Sequence, residues 1–176
     1  MLLTWSGAEA SSHTNLCLCV PFLINIHLSD MEDRFMKEAY RQAVIAFNND
    51  EVPVGCVIVK DGKIISRGHN RKEEKNSAIY HAEIEAINKA TKKLNNWYLK
   101  DCELYVTLEP CMMCIGAIIN SRIKKVFYGA KDKKGGAIES NLKINKVKNL
   151  NHYPETEYIE NKNCEQILKE FFKKKR

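Results

Sequence analysis

The sequence has 176 residues and a mass of 20.3 kDa, the size of one domain with a short appendage, because two separate domains would each have too small a core. Hydrophobic residues make up 44% and charged residues 28% of the chain, which excludes a wholly disordered or collagen-like protein. No apolar run reaches the roughly 18 to 20 residues that span a bilayer, which excludes an integral membrane protein.

The net charge of +6 is unevenly distributed along the chain. Residues 1–30 contain no Lys or Arg, whereas residues 124–148 contain eight Lys against two acidic residues. Residues 165–176 add five basic residues against two acidic ones. Such segments are typical of proteins that bind polyanions, but also of ordinary solvated surfaces. A nucleic-acid hypothesis therefore needs a site to support it.

The seven cysteines are too sparsely spaced for a disulfide framework, which indicates a reducing compartment, and we expect a cytoplasmic protein. Cys56 and Cys102 lie in apolar, strand-like runs, where a free thiol is usually a small core residue. Cys111 and Cys114 differ from the others because they form a Cys-x-x-Cys motif.

The first 30 residues differ in composition from the rest and are predicted to be an extension of the domain. Their apolar stretch, 16–26, has no positively charged segment before it and no small-residue cleavage site after it, unlike a signal peptide. A disordered leader, an organelle-type extension and translation upstream of a true start at Met31 remain open. The lack of Arg disfavours the second, and we favour the third. The functional domain is expected over residues 31–176.

From Ser29 onwards the pattern predicts regular elements. Ser29-Asp-Met-Glu32 is a capping box, and apolar residues recur at helical spacing to Asn48, which predicts a first helix over these residues. Residues 54–60 and 63–68 predict two antiparallel strands joined at Asp61-Gly62. After a polar loop, a second helix is predicted over residues 81–94.

The remaining chain continues to alternate between strands and helices. Its predicted strands are 102–108, 125–129 and 157–159, and its predicted helices are 110–120 and 164–174. Residues 140–150 follow no clear pattern. This alternation predicts an α/β protein with one mixed sheet of about five strands and helices on both faces, a three-layer α/β/α sandwich.

Two short motifs, each at the predicted start of a helix, carry the chemistry. The first is His81-Ala-Glu83 and the second is Pro110-Cys111-Met-Met-Cys114. A lone His-x-Glu means little, and a lone Cys-x-x-Cys is moderately specific for metal or redox use. Together they form the signature of zinc-dependent nucleobase deaminases.

The spacing of these residues fits a catalytic zinc ion. Cys111 and Cys114 share a helix face, and a helix N-terminus favours the thiolate that binds zinc. His81 is expected to supply the third ligand. Three protein ligands leave the fourth tetrahedral position for water, whose pKa zinc lowers towards about 7, producing hydroxide. We expect one Zn²⁺ per subunit.

Glu83 is expected beside the metal rather than on it, because it lies two residues from His81 and their side chains diverge around the helix. Its role would be to take a proton from water and deliver it to the ring nitrogen and the leaving amine. A closed zinc site with a fourth thiolate from Cys56, Cys102 or Cys164 and a redox Cys-x-x-Cys are the alternatives. Neither explains the carboxylate.

Residues from about 31 to 176 resemble the bacterial tRNA-specific adenosine deaminases of the cytidine-deaminase-like superfamily. Besides the two motifs, the matching segments are Glu51-Val-Pro-Val-Gly55, Gly68-His-Asn-Arg71, Thr107-Leu-Glu-Pro-Cys111, Ser121-Arg-Ile123, Gly129-Ala-Lys-Asp132 and the closing Cys164 with Phe171-Phe172. The resemblance implies a cytidine-deaminase-like fold, a homodimer, and hydrolysis of the wobble adenosine in a tRNA anticodon stem-loop to inosine.

The resemblance also implies roles for individual residues. The zinc ligands match His81, Cys111 and Cys114, and the proton shuttle matches Glu83. Four further positions match substrate-binding residues: Asn70 at the flipped base, Asp132 near the RNA backbone, Asn151 in an Asn-His pair near the substrate nucleotides, and Phe172 for base stacking. Without the resemblance, Asn70 is equally a turn residue, Asp132 a surface acid, and Phe172 a core or dimer residue.

The choice of substrate has a physical argument as well. A stacked base does not reach a zinc pocket, whereas an anticodon loop already has splayed bases, and the basic segments are suited to holding its phosphates. Two other functions remain open. One is deamination of a free nucleobase or nucleoside, such as guanine or cytosine, against which the basic C-terminal half argues. The other is a zinc-stabilised RNA-binding subunit without turnover.

Overall fold

The computed structural model describes the backbone of residues 20–176 and the side chains of residues 34–176. The helices are α1 (Val20–Asn48), α2 (Ala82–Leu94), α3 (Met112–Ser121) and α4 (Lys162–Lys174), with a short 3-10 helix at Ile144–Lys146. The strands are β1 (Gly55–Lys60), β2 (Lys63–His69), β3 (Cys102–Val106), β4 (Lys125–Tyr128) and β5 (Glu155–Tyr158). No helix in this part of the chain has the length and apolar character needed to cross a membrane.

The five strands form one mixed sheet in the order β2-β1-β3-β4-β5. Strand β1 is antiparallel to β2 and β3, whereas β3, β4 and β5 run parallel to one another. Helices α2 and α3 pack together on one face of the sheet, and α1 and α4 pack together on the other. The predicted α/β sandwich with a mixed five-stranded sheet is therefore confirmed.

The core consists of two apolar layers, one on each side of the sheet. The layer under α1 and α4 contains the rings of Tyr105 and Phe127, which stack with centroids 4.3 Å apart, and the tilted ring of Phe35. Burying a large apolar side chain contributes about 1.5–3 kcal/mol. These layers hold the helices at fixed positions on the sheet, and hence the loops that precede them.

The prediction that the first helix begins at Ser29 is wrong, because α1 begins at Val20. A capping box marks a helix start only where the preceding chain is not helical, and here helical backbone runs through residues 29–32. The predicted N-terminal extension, residues 1–30, falls partly on residues 1–19, which lie outside the described residues. Its origin upstream of a true start at Met31 stays a prediction.

The chain segments that carry the motifs meet at one edge of the sheet, which we call the site edge. Strand β1 begins where its antiparallel neighbours β2 and β3 end. Val106, the last residue of β3, lies beside Tyr128, the last residue of β4. Glu155, the first residue of β5, lies beside Lys125, the first residue of β4, so β5 begins at the opposite edge.

Candidate metal centre and active-site cavity

His81 and Cys111 lie at the site edge, immediately before helices α2 and α3. Each is the N-cap residue of its helix and has extended backbone, and neither side chain makes a capping hydrogen bond to the first turn of its helix. The two helices begin one and two residues later than predicted. A capping side chain normally bonds to its own first turn, so these two are available for other contacts.

Three side chains at this edge form a cluster suited to one zinc ion. Nδ1 of His81 lies 3.7 Å from Sγ of Cys111 and 3.6 Å from Sγ of Cys114, and all three atoms lie within 4.8 Å of one another. Tetrahedral zinc with its usual bond lengths to sulfur and imidazole nitrogen separates such donors by about 3.6 Å. The donors therefore fit zinc in both chemistry and spacing.

The other described cysteines lie away from this cluster. Cys56 and Cys102 are buried in the layer under α2 and α3, and Cys164 is buried in the layer under α1. Within residues 34–176, the cluster of potential metal donors at this edge has no fourth Cys, His, Asp or Glu member. The described part of the chain thus offers no fourth thiolate for a closed structural site.

The two thiols of the cluster differ in acidity. Hydrogen bonding from Cys114, and also from His81, lowers the pKa of Cys111 to about 3 against the opposing effect of burial. The pKa of Cys114 is raised because it donates to Cys111 and is buried. The hydrogen bond with Cys111 also raises the pKa of His81. The lowered pKa favours the thiolate form of Cys111, which is the form that binds metal.

Glu83 lies beside the cluster, in the first turn of α2. Its side chain is only 4% exposed, and this burial raises the pKa of the carboxyl group despite the nearby His81. It lines the same cavity as His81 and Cys111. A buried carboxyl group with a raised pKa, in a cavity and beside metal-type ligands, is suited to proton transfer.

The cavity at the site edge has a volume of about 190 Å³. Its polar lining comes from Asn70, Lys72, His81, Glu83, Glu109, Cys111 and Asp132. Sites for drug-sized ligands occupy about 300–1,000 Å³, so this cavity suits a single base better than a whole nucleotide. Two of the predicted substrate residues, Asn70 and Asp132, are thus brought together with the metal cluster.

Phe172 lies in a second, larger cleft that joins this cavity. The cleft has a volume of about 650 Å³, and Asn70 and Lys72 border both spaces. Phe172 is 50% exposed, whereas the neighbouring Phe171 is buried and packs edge-on against Phe47. Phe172 therefore presents an open aromatic face next to the cavity, while Phe171 belongs to the core.

The structure does not bring Asn151 to the cavity. Asn151 precedes β5, which begins at the opposite edge of the sheet, and it borders a separate cleft with Trp97 and Tyr98. Its carbonyl oxygen accepts a hydrogen bond from the guanidinium of Arg122. The parallel pairing of β4 and β5 thus separates Asn151 from the other predicted substrate residues, and its contact with substrate stays a prediction.

Glu109 is a further residue of the site that sequence reasoning missed. Its buried carboxylate accepts hydrogen bonds from the backbone N–H groups of Asp132, Ile138, Glu139 and Ser140, at 2.8–3.2 Å, and from the Ser140 hydroxyl. Burial alone would raise the pKa of Glu109, but these bonds lower it overall. They hold the loop that carries Asp132 against the cavity. The sequence signal that could have identified Glu109 as a site residue is its position directly before Pro110-Cys111.

Comparisons with known proteins agree with this geometry. A family model for MafB19-like deaminases matches residues 30–176. A tRNA-specific adenosine deaminase of Rickettsia bellii is 51% identical over 142 residues, which cover 79% of this chain and 98% of the relative. A tRNA-specific adenosine deaminase of Aquifex aeolicus is 48% identical over 145 residues, which cover 82% and 96%. The chain belongs to the tRNA-specific adenosine deaminase family.

Solved structures of deaminases share the fold. A structure from a study of A-to-I editing by tRNA:A34 deaminases at the wobble position of transfer RNA is 42% identical, with a TM-score of 0.70, over 72% of this chain and 98% of that chain. A guanine deaminase of Bacillus subtilis is 32% identical, with a TM-score of 0.55, over 80% and 93%. The family predicted from the motifs and the deaminase fold are confirmed.

Proposed function

We propose that this deaminase hydrolyses the 6-amino group of adenosine at the wobble position of a tRNA anticodon, releasing ammonia and leaving inosine. The observation that carries the proposal is that Glu83, His81 and Cys111 line one base-sized cavity, with the third donor, Cys114, buried directly behind them. Support for tRNA as the substrate comes from the tRNA-specific relatives, which are 48–51% identical. A basic chain also favours a polyanionic partner.

His81, Cys111 and Cys114 would hold one zinc ion per subunit, a Lewis acid that activates water near neutral pH. Glu83 moves the protons. Its raised pKa lets the carboxyl group accept a proton from water and donate it to the ring nitrogen and then to the leaving amine. Burial among the cavity walls keeps bulk water from competing for that proton.

The cavity accepts the base, and the adjoining cleft accepts the rest of the nucleotide and its neighbours. Asn70 would contact the base and Asp132 the backbone nearby, since both line the cavity. Phe172 offers a ring for stacking, and Lys72 and Lys175 in the same cleft offer positive charge to the phosphates. A base already unstacked in an anticodon loop enters at the least cost.

We also propose that the protein is a homodimer and is located in the cytoplasm. Large apolar side chains remain exposed on this subunit, including Ile79, Met112 and Leu142, and exposed apolar surface is typical of interfaces. The functional domain would span residues 31–176, so a chain that starts at Met31 is expected to keep full activity. Asn151 at the opposite edge would contact RNA only where the bound molecule extends beyond the cavity.

The test compares inosine formation on an anticodon stem-loop with deamination of free adenosine, guanine and cytidine. We expect activity on the stem-loop, and we expect Glu83→Gln to keep its zinc and lose activity by about 10²- to 10⁴-fold. Glu160→Gln, which removes an exposed carboxylate, is the control and should stay active. Turnover of free bases or nucleosides alone would contradict the tRNA substrate, and zinc without any turnover would indicate a binding subunit.

A further inference from the structure

Glu51 is a buried carboxylate next to the cavity, and the roles assigned so far do not use it. Its side chain is 1% exposed and lies between α1 and β1. One oxygen, Oε1, accepts the backbone N–H of Glu74 at 2.9 Å, and the other, Oε2, accepts the side-chain amide Nδ2 of Asn70 at 3.0 Å. Both oxygens are therefore acceptors at the same time.

These two contacts fix the direction in which the Asn70 carboxamide faces. A carboxylate only accepts hydrogen bonds, so the amide group that meets Glu51 must be the NH₂ end. Within residues 34–176, every fully buried side-chain oxygen has a hydrogen-bond partner, whereas the side-chain hydrogen bond of Asn70 is made by Nδ2 and not by Oδ1. Oδ1 is therefore not fully buried. It is open to the space that Asn70 lines, which is the cavity together with the adjoining cleft.

We infer that Glu51 is a positioning residue that sets the hydrogen-bond polarity of the base pocket, by holding Asn70 with its carbonyl oxygen towards the substrate. The inference rests on the proposed function, because it takes Asn70 as a contact of the substrate nucleotide. A fixed acceptor at Oδ1 of Asn70 favours a substrate that places an N–H or O–H donor beside it. It disfavours a substrate that places an acceptor atom there, since an unpaired buried polar group is costly.

The variant Glu51→Gln tests this polarity, because a carboxamide has one acceptor and one donor where the carboxylate has two acceptors. If the introduced oxygen keeps the N–H of Glu74, the introduced NH₂ group faces Asn70, whose amide must then rotate and turn its own NH₂ group towards the cavity. We expect KM for the stem-loop to rise about tenfold and kcat to change less than about threefold, as for one inverted hydrogen bond.

A second substitution should restore the pocket. Asn70→Asp alone places two carboxylates face to face and should weaken activity at least about tenfold. Combined with Glu51→Gln, the introduced amide donates to the introduced carboxylate, whose other oxygen again offers an acceptor to the cavity. We expect KM of the double variant to return to within about threefold of the wild type. A merely structural role for Glu51 would not produce this rescue.

Glu160→Gln is the control, because it removes an exposed carboxylate that lines neither the cavity nor the adjoining cleft. It should leave KM within about twofold, and every variant is compared at equal zinc content and melting temperature. The inference is overturned if Glu51→Gln leaves KM unchanged, if Glu160→Gln raises KM equally, or if the double variant is as weak as the product of the two single losses.

A measurement on the wild-type protein tests this inference independently of the proposed function. It also keeps the inference testable if a variant does not fold. The side-chain NH₂ protons of Asn70, followed by NMR, should exchange with solvent at least about tenfold more slowly than those of the exposed Asn88. Equal exchange overturns the arrangement. Protected exchange in a wild type that forms no inosine would mean that the proposed function has failed while the contact with Glu51 stands.

Discussion

His81 and Cys111 occupy equivalent positions on two different helices, and their donor atoms lie 3.7 Å apart. Each residue is the N-cap of its helix, and neither side chain caps it. The N-terminus of a helix carries partial positive charge and free N–H groups, which favour a thiolate nearby. The packing of α2 and α3 on one face of the sheet therefore sets the spacing of the metal donors.

Loss of one donor should release the metal. We expect Cys114→Ser to reduce the zinc content from about one ion per chain to below about 0.1 and to lower the melting temperature, because metal binding couples to folding. Cys56→Ala is the control, since Cys56 is buried but lies outside the cluster. Metal analysis after desalting measures the content, and a Cys114→Ser protein with full zinc would contradict the assignment.

The contact between β2 and α2 should be intolerant of a single methyl group. A Cβ at Gly68 would lie 2.2 Å from the carbonyl oxygen of Ala82 and 2.7 Å from the N of Ala86, and both are backbone atoms of the helix that carries Glu83. We expect Gly68→Ala to lower the free energy of unfolding by about 2–3 kcal/mol and to weaken zinc binding by displacing α2.

Gly116→Ala provides the comparison for this prediction. Gly116 lies within α3, and a Cβ there meets nothing within 4 Å. Ala is a better helix former than Gly, so Gly116→Ala should raise the free energy of unfolding by up to about 1 kcal/mol. Urea denaturation measures both variants. Equal stability of the two would show that α2 moves away from β2 without penalty.

The proximity of the three potential metal donors was predictable from the sequence because the motifs that carry them are local. His81, Cys111 and Cys114 each lie in the first turn of a helix or just before it, and short motifs report that arrangement directly. The alternation of strands and helices likewise predicted the layered fold. The start of α1 was not predictable from Ser29, because a capping pattern does not reveal whether the chain before it is already helical.

Contacts between distant segments were harder to predict. The position of Asn151 depends on the parallel pairing of β5 with β4, which places the segment before β5 at the opposite edge. The role of Glu109 depends on a loop that folds back over its carboxylate. Hydrophobic periodicity specifies which face of an element is buried but carries no information on either arrangement.

Glu85 should make the stability of this protein depend on acidic pH. Burial would raise its pKa, but the N–H of His69 at 2.8 Å and the side chains of Lys89 and Arg71, both at 3.0 Å, lower it overall. A lowered pKa in the folded state stabilises the protein above the unfolded pKa of about 4.3, and that contribution is lost as pH falls through the folded pKa.

Replacement of this carboxylate should therefore matter at neutral pH and less in acid. We expect Glu85→Gln to lower the free energy of unfolding by about 1–2 kcal/mol at pH 7, since the charged hydrogen bonds weaken, and the difference should shrink as pH falls below about 4. Urea denaturation across this pH range measures it, with Glu160→Gln as the exposed control. A difference that is constant with pH would exclude the ionised carboxylate as its cause.

Phe172 should contribute to binding of the stem-loop without contributing much to stability, because its ring is half-exposed in the cleft that joins the cavity. Stacking of a base on an aromatic ring is worth about 1–3 kcal/mol, so Phe172→Ala should raise KM for the stem-loop about 5- to 100-fold, with kcat and melting temperature nearly unchanged. Trp97→Ala removes an exposed ring at the opposite edge. If the loop binds at the site edge, only Phe172→Ala raises KM, whereas a larger effect of Trp97→Ala would place the RNA beside Asn151 instead.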